Sequence, residues 1–208
     1  MYKNTWAKIV EIHQYSKELW IIGEEMGMET FIQPLQEQRH ALEHIVRSRI
    51  VEMDKGINDD YVQINLERAL GHVYRSFFDV ADWVNLGIKT EVTELMKGYS
   101  SECIAKEFPI YYQEIRPTLE RMCIEIAKIR GEKDISKNAE IIPEVEKYRI
   151  KINELLKMLE TIHTFIPQLE ECKKEENRKK VWSKIWGVFL VGLAVLLGWL
   201  FSFFNCRQ

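Results

Sequence analysis

Two hydrophobic regimes divide this chain. Up to about residue 172 the apolar positions recur every three or four residues with charged residues between them, the period of amphipathic helices. From Ile185 to Phe204 they run together as IWGVFLVGLAVLLGWLFSFF, 20 residues without a charge. At ~1.5 Å per residue that stretch makes a helix about 30 Å long, the thickness of a bilayer's hydrocarbon core. It is apolar on every side and leaves no face for water. The pattern predicts an all-α protein: a cytosolic helical bundle of five to six helices with heptad-like seams, followed by one C-terminal transmembrane helix.

Within the body, residues 5–25 carry Trp6, Ile9, His13 and Trp20 on one helical face, and Gly23 and Gly27 loosen the end. Pro34 opens a second helix to about Asp54, with Leu35, Leu42, Ile45, Val46, Ile50 and Met53 as its apolar side. The run Lys55-Gly56-Ile57-Asn58 is a stop-and-turn signal. A third helix, Asp59 to Leu86, takes Asn58 or Asp59 as its cap and repeats Leu66, Leu70, Val73, Phe77, Val80 and Val84 at the helical period. Its aromatic content (Tyr61, Tyr74, Phe77, Phe78, Trp83) marks it as the central helix. Gly87 is expected to end it, with a shorter helix around Thr90–Lys97 leading on through Gly98.

Two later segments are more regular. Phe108, Tyr112, Ile115, Leu119, Met122, Ile126 and Ile129 form one seam. Val145, Tyr148, Ile152, Leu155, Leu159, Ile162, Ile166 and Leu169 form a heptad seam after Pro143. Two arrangements use them: an antiparallel pair within one chain across the turn Arg130–Asp134, or a parallel coiled coil between protomers. Pro117 and Pro167 interrupt the two segments, and a polar helix or linker from Glu170 to Lys180 joins the body to the span.

The flanks orient the span. Lys173, Lys174, Arg178, Lys179, Lys180 and Lys184 precede it and only Arg207 follows, so the positive-inside rule puts the N-terminus in the cytoplasm. The division that follows is a bundle (1–172), a basic juxtamembrane segment for anionic headgroups (173–184), a single-pass tail anchor (185–204) and a short far-side tail (205–208). Trp186, with Trp182, sits at the near interface and Trp199 approaches the far one. The anchor runs from Ile185 to Phe204 and is punctuated by Gly187, Gly192 and Gly198, with Ala194 and Gly198 as a small-xxx-small pair that permits close helix approach.

Composition narrows the function further. Lys+Arg 29 against Asp+Glu 32 is not the basic excess of a nucleic-acid binder, so no nucleic acid is expected. Cys103, Cys123, Cys172 and Cys206 show no metal-ligand spacing and are expected as reduced thiols. No cofactor or metal is expected.

Three constellations carry residue types suited to chemistry. His40-Ala-Leu-Glu43-His44 matches H-x-x-E-H, which places two histidines one turn apart as zinc ligands with Glu43 as base, but a third ligand is missing. Glu37/His40 and Glu160/His163 are E-x-x-H pairs of the kind that di-iron bundles use, the remaining carboxylates coming from Glu11 or Glu18 and Glu114 or Glu125. The stretch Arg68-Ala-Leu-Gly-His72-Val-Tyr-Arg-Ser-Phe-Phe-Asp79 resembles the central helix of HEPN-type domains, which include ribonucleases with an Arg for phosphate and a His for acid–base work. Only three residues separate Arg68 from His72, fewer than that family's motif has, so its catalytic pair does not carry over. Ion pairing among Arg68, Arg75, Asp79 and Asp82 is the expected role of this face.

The resulting expectation is a membrane-tethered, non-enzymatic module for an unidentified protein partner, marked by surface apolar residues beyond those the seams need. The alternative is a membrane-acting effector whose homo-oligomerisation clusters anchors and perturbs the bilayer, a layout similar to small effectors of prokaryotic immunity. A membrane-bound HEPN-like ribonuclease or histidine–carboxylate metalloenzyme stands third.

Overall fold

The computed structural model describes residues 2–53, 59–131 and 141–205. Among them there is no strand: the elements are α1 (Lys3–Glu25), α2 (Ile32–Met53), α3 (Asp59–Lys97), α4 (Ser101–Glu107), a π turn (Tyr111–Ile115), α5 (Arg116–Gly131) and α6 (Ile141–Asn205). The turn expected at 55–58, most of that at 130–134, and the tail from Cys206 lie outside the described residues.

The aromatic helix α3 is central, packed by α1, α2 and α6. Cross-contacts give the directions. Gln63 Nε2 donates to Thr5 Oγ1 at one end and the Trp20 and Trp83 rings meet at 5.1 Å near the other, so α1 runs parallel to α3. His44 faces Asn65 and Ser76 donates to the Pro34 carbonyl, so α2 runs antiparallel. Tyr74 donates to Glu144 and Tyr99 to Glu170, which makes α6 parallel to α3. Lys151 pairs with Glu125 while Phe108 stacks on Phe165 at 4.2 Å, so α5 returns antiparallel along α6.

Where α3 meets α6, Tyr74, Phe77, Phe78 and Tyr148 form a box of edge-on rings with centroids 4.9–6.4 Å apart. Edge-on pairs align ring quadrupoles and add about 0.5–1.5 kcal/mol each beyond area burial.

Two expectations change and two open alternatives are decided. First, α3 does not stop at Gly87. The helix runs on, and Gly87 is a notch in which the Met28 sulfur lies 2.3 Å from where a β-carbon would stand. Mid-helix Gly costs about 1 kcal/mol relative to Ala, a cost that packing offsets here. Second, α3 ends at Lys97 with Gly98 following, and a further break at Phe108–Pro109 comes after the short α4. The Arg116 N–H then reaches back to Tyr111, widening the helix into a π turn just before Pro117. That widening accommodates a ring that in a regular turn clashes with the carbonyl four residues back.

Third, the heptad seam is consumed within one chain. Val145, Tyr148, Ile152, Leu155, Ile162 and Leu169 are buried, as is Leu159, while Ile166 is half-buried against the same core. A parallel coiled coil through this seam is therefore not the arrangement; α6 faces α3, α4 and α5 with it. Fourth, the linker is helix. α6 runs unbroken for 65 residues, about 100 Å, through Pro167 and residues 170–184 into the apolar stretch.

Candidate functional site

The second helix carries the largest departure from expectation. Most of its apolar stripe stays out of the core: Leu35 (45%), Leu42 (58%), Val46 (47%), Ile50 (57%) and Met53 (73%) are exposed, and Ile45 alone of the stripe packs half-buried against it. The residues it buries are Pro34, Ala41 and Ser48, seven apart. Small side chains on that line let α2 lie close to α3, and the larger apolar residues are left facing outward. Beside the stripe, α1 contributes Ile9, Val10, His13 and Gln14 to a groove of roughly 630 Å³ shared with Leu35, Leu42 and Ile45. His13 is thus exposed in this groove, and the buried line of α1 is Thr5, Ile9, Ile12, Ser16 and Leu19. Arg39 also lines the groove and no acidic residue does.

On the opposite edge of α2 lies a polar network. His72 Nδ1 donates to Glu37 Oε2 at 2.7 Å and Arg75 Nε donates to the same oxygen at 3.0 Å. His72 packs between His40 (centroids 5.2 Å) and His44 (5.5 Å), and His44 Nδ1 donates to Asn65 at 3.0 Å. Burial pushes the Glu37 carboxyl upward, but the hydrogen bonds from His72 and Arg75, with their charge, outweigh it and hold it below the ordinary value.

Glu37, His40 and His72 bring one potential metal-ligand atom each within 4.8 Å of the others, a grouping that spans α2 and α3. Of the H-x-x-E-H set only His40 belongs to this grouping, and Glu43 pairs with Arg47. The Arg75 guanidinium already neutralises Glu37 and lies 2.8 Å from His72 Nδ1, the position a metal would need. This network ties α2 to α3 as an ion pair. Glu160 and His163 are exposed on α6, so the second pair of a di-iron set is not brought here. Arg68 is exposed, whereas Arg75 reaches across to α2 and Asp82 accepts from Tyr148.

A third cluster fastens α6 at the end of the bundle nearest the apolar stretch. Ser100 caps α4 by accepting from the Cys103 N–H, and its hydroxyl donates to Glu176 at 2.5 Å. Tyr99 donates to Glu170 at 2.7 Å beneath the Lys173 ammonium, and burial together with that hydrogen bond pushes its phenol up to about 12. Cys103 and Cys172 are joined as a disulfide. The expectation of reduced thiols is corrected for this pair: 69 residues separate them in sequence, and only the docking of α4 on α6 brings them together. Cys123 is a free, exposed thiol.

Beyond this clasp the helix leaves the body. Lys173 is half-buried, and Lys174, Arg178, Lys179, Lys180 and Lys184 are exposed. So is every residue from Ile185 to Gly198, including Trp186, Gly187, Gly192 and Ala194, and positions 199–204 continue the same helix. Among the described residues this is the one helix long and apolar enough to cross a membrane, and none of its apolar window is buried against the chain. No protein-family model, curated protein or solved structure matches this chain.

Proposed function

We propose that this chain is a single-pass membrane protein, N-terminus in the cytosol, whose helical body is a non-enzymatic tether for a partner protein. The observation that carries this reading is the outward apolar stripe of α2, with the groove beside it. A helix that buries its small residues and exposes Leu, Val, Ile and Met presents the i, i+4, i+7 anchors to which an amphipathic helix docks. Because Arg39 is the charged residue in the groove and no acidic side chain lines it, the occupant is an amphipathic helix with acidic flanks. Orientation is supported by the basic residues between Lys173 and Lys184, which anionic cytoplasmic lipids attract at about 1 kcal/mol each.

The test uses the full chain in lipid nanodiscs and two labelled synthetic helices with the same leucine face, one flanked by Glu and one by Lys. Preferential binding of the acidic helix, lost in Leu42→Glu, supports the tether. Equal binding of both, or binding that survives Leu42→Glu, rejects this groove. A dimer in sedimentation that Leu42→Glu dissolves replaces the partner helix by a second copy of the chain.

A second reading, the membrane-acting effector, draws on one observation. The helix that anchors in the core at Leu169 is the same helix that carries Ala194 and Gly198, so association of bodies is transmitted to the spans without a flexible joint. Dye release from vesicles by the wild-type chain, abolished in Gly198→Leu, supports it; no release rejects it.

A further inference from the structure

We propose that the reduced chain binds one zinc(II) ion through Cys103, Cys172 and Glu176 at the base of the helical body. The cytosolic orientation supplies the redox state this assumes, since disulfides in that compartment are rarely persistent; metal binding itself is a property of the reduced chain and is tested independently of orientation.

The site is assembled from two elements. Cys103 lies in the first turn of α4, held there by the Ser100 cap, and is fully buried. Cys172 and Glu176 are four apart on α6 and share one face of that helix. Both sulfurs and a Glu176 oxygen lie within 4.8 Å of one another. Tetrahedral zinc, with bonds of about 2.3 Å to sulfur and 2.0–2.2 Å to oxygen, needs its donors within about 4 Å of each other. Cα atoms 5.8 Å apart are compatible with that spacing once the sulfurs part.

Donor chemistry points the same way. Two thiolates with one carboxylate select a borderline-soft divalent ion over magnesium or calcium, which take oxygen ligands. Ser100 donates to one Glu176 oxygen, an outer contact that aims the carboxylate and leaves its second oxygen for the metal. Glu176 is half-exposed, so the fourth position faces water. The Glu37–His40–His72 grouping is the weaker candidate because a guanidinium already stands in it.

Reduction by two equivalents of a thiol breaks the Cys103–Cys172 bond, forms two S–H groups and releases the reductant as its own disulfide. Zinc then displaces the two thiol protons. One structural position thus holds α4 to α6 by a covalent bond when oxidised and by a metal when reduced.

The experiment takes the full chain in detergent micelles, reduces it anaerobically with a phosphine, removes the reductant and titrates cobalt(II), then zinc(II). The proposal expects one cobalt per chain with sulfur-to-metal charge-transfer and tetrahedral ligand-field bands, bleached by zinc. Zinc is expected to shield two thiols from alkylation while exposed Cys123 is labelled with or without it. Cys172→Ala loses the bands, and Glu176→Gln weakens zinc binding about tenfold or more. A reduced chain that keeps its helical circular dichroism yet gives no bands overturns the proposal, as does a band that survives Cys172→Ala. Unchanged zinc affinity in Glu176→Gln does so as well. Labelling of Cys123 on intact cells by a membrane-impermeant reagent would instead reject the orientation and leave the metal result standing.

Discussion

The six-membered ring of Trp83 lies against the backbone of Gly23, its Cζ3 2.2 Å from where a β-carbon would stand. α1 approaches α3 closely at this point because residue 23 has no side chain, and the same contact sets Trp20 against Trp83.

Gly23→Ala therefore forces the indole to move. Overpacking of this kind costs about 1–3 kcal/mol, reduced by up to about 1 kcal/mol from the better helix former. Chemical unfolding of the full chain in detergent should show a net loss, with a shift in tryptophan emission. Gly27 has open space around it but a φ of +68°, so Gly27→Ala should cost about 1–2 kcal/mol through backbone strain and leave the emission unchanged.

Phe78 touches both Tyr74 and Tyr148 in the box between α3 and α6. Phe78→Ala should destabilise by about 3–5 kcal/mol. Tyr148→Phe keeps the ring but removes the hydroxyl that Asp82 accepts, for about 1–3 kcal/mol. Unfolding midpoints that rank the two in the opposite order would refute the box as a principal contact.

Glu37→Gln should lower stability at neutral pH by loosening α2 from His72 and Arg75. The sign with pH follows from the lowered carboxyl. Stabilisation is complete above its ordinary value of 4.5 and is lost as pH falls through the lower value it has in the fold. Melting curves of wild type and variant should converge below that point; a gap that persists there would show that the charge of Glu37 is not what holds the helices.

Leu42→Glu tests the outward stripe for its cost as well as its binding. A residue 58% exposed and away from the core should change stability by no more than about 0.5 kcal/mol. A large loss of stability would mean that Leu42 belongs to packing and not to a docking surface.

Helix content, the central position of α3 and the uncharged span were legible in the sequence, because periodicity and length alone carry them. The seam from Val145 to Leu169 was legible too, although not its neighbour, since a heptad stripe says that something covers it and α3 does so as well as α5. α2 was misread for a physical reason. Its largest apolar residues mark the strongest stripe in sequence, yet the face that packs is the one whose small residues Pro34, Ala41 and Ser48 are buried. Gly87 looked like a terminator because what fills its notch, Met28, arrives from another helix connection. The pairing of Cys103 with Cys172 has no local signal at all. Glu37 with His72 is equally silent in sequence, two partners 35 residues apart that only the antiparallel docking of α2 on α3 unites.

The unbroken course of α6 fixes a rotational phase between the clasp and the span. Ala194 and Gly198 come 22 and 26 residues after Cys172, which at ~100° per residue turns them only about 40° and 80° from the side that faces α4. The small-residue face in the apolar stretch is thereby aimed under one flank of the body. A single alanine inserted between Arg178 and Lys184 would turn that face by about 100° while lowering it only ~1.5 Å. Azimuth, far more than depth, is what this helix hands from the bundle to its apolar end.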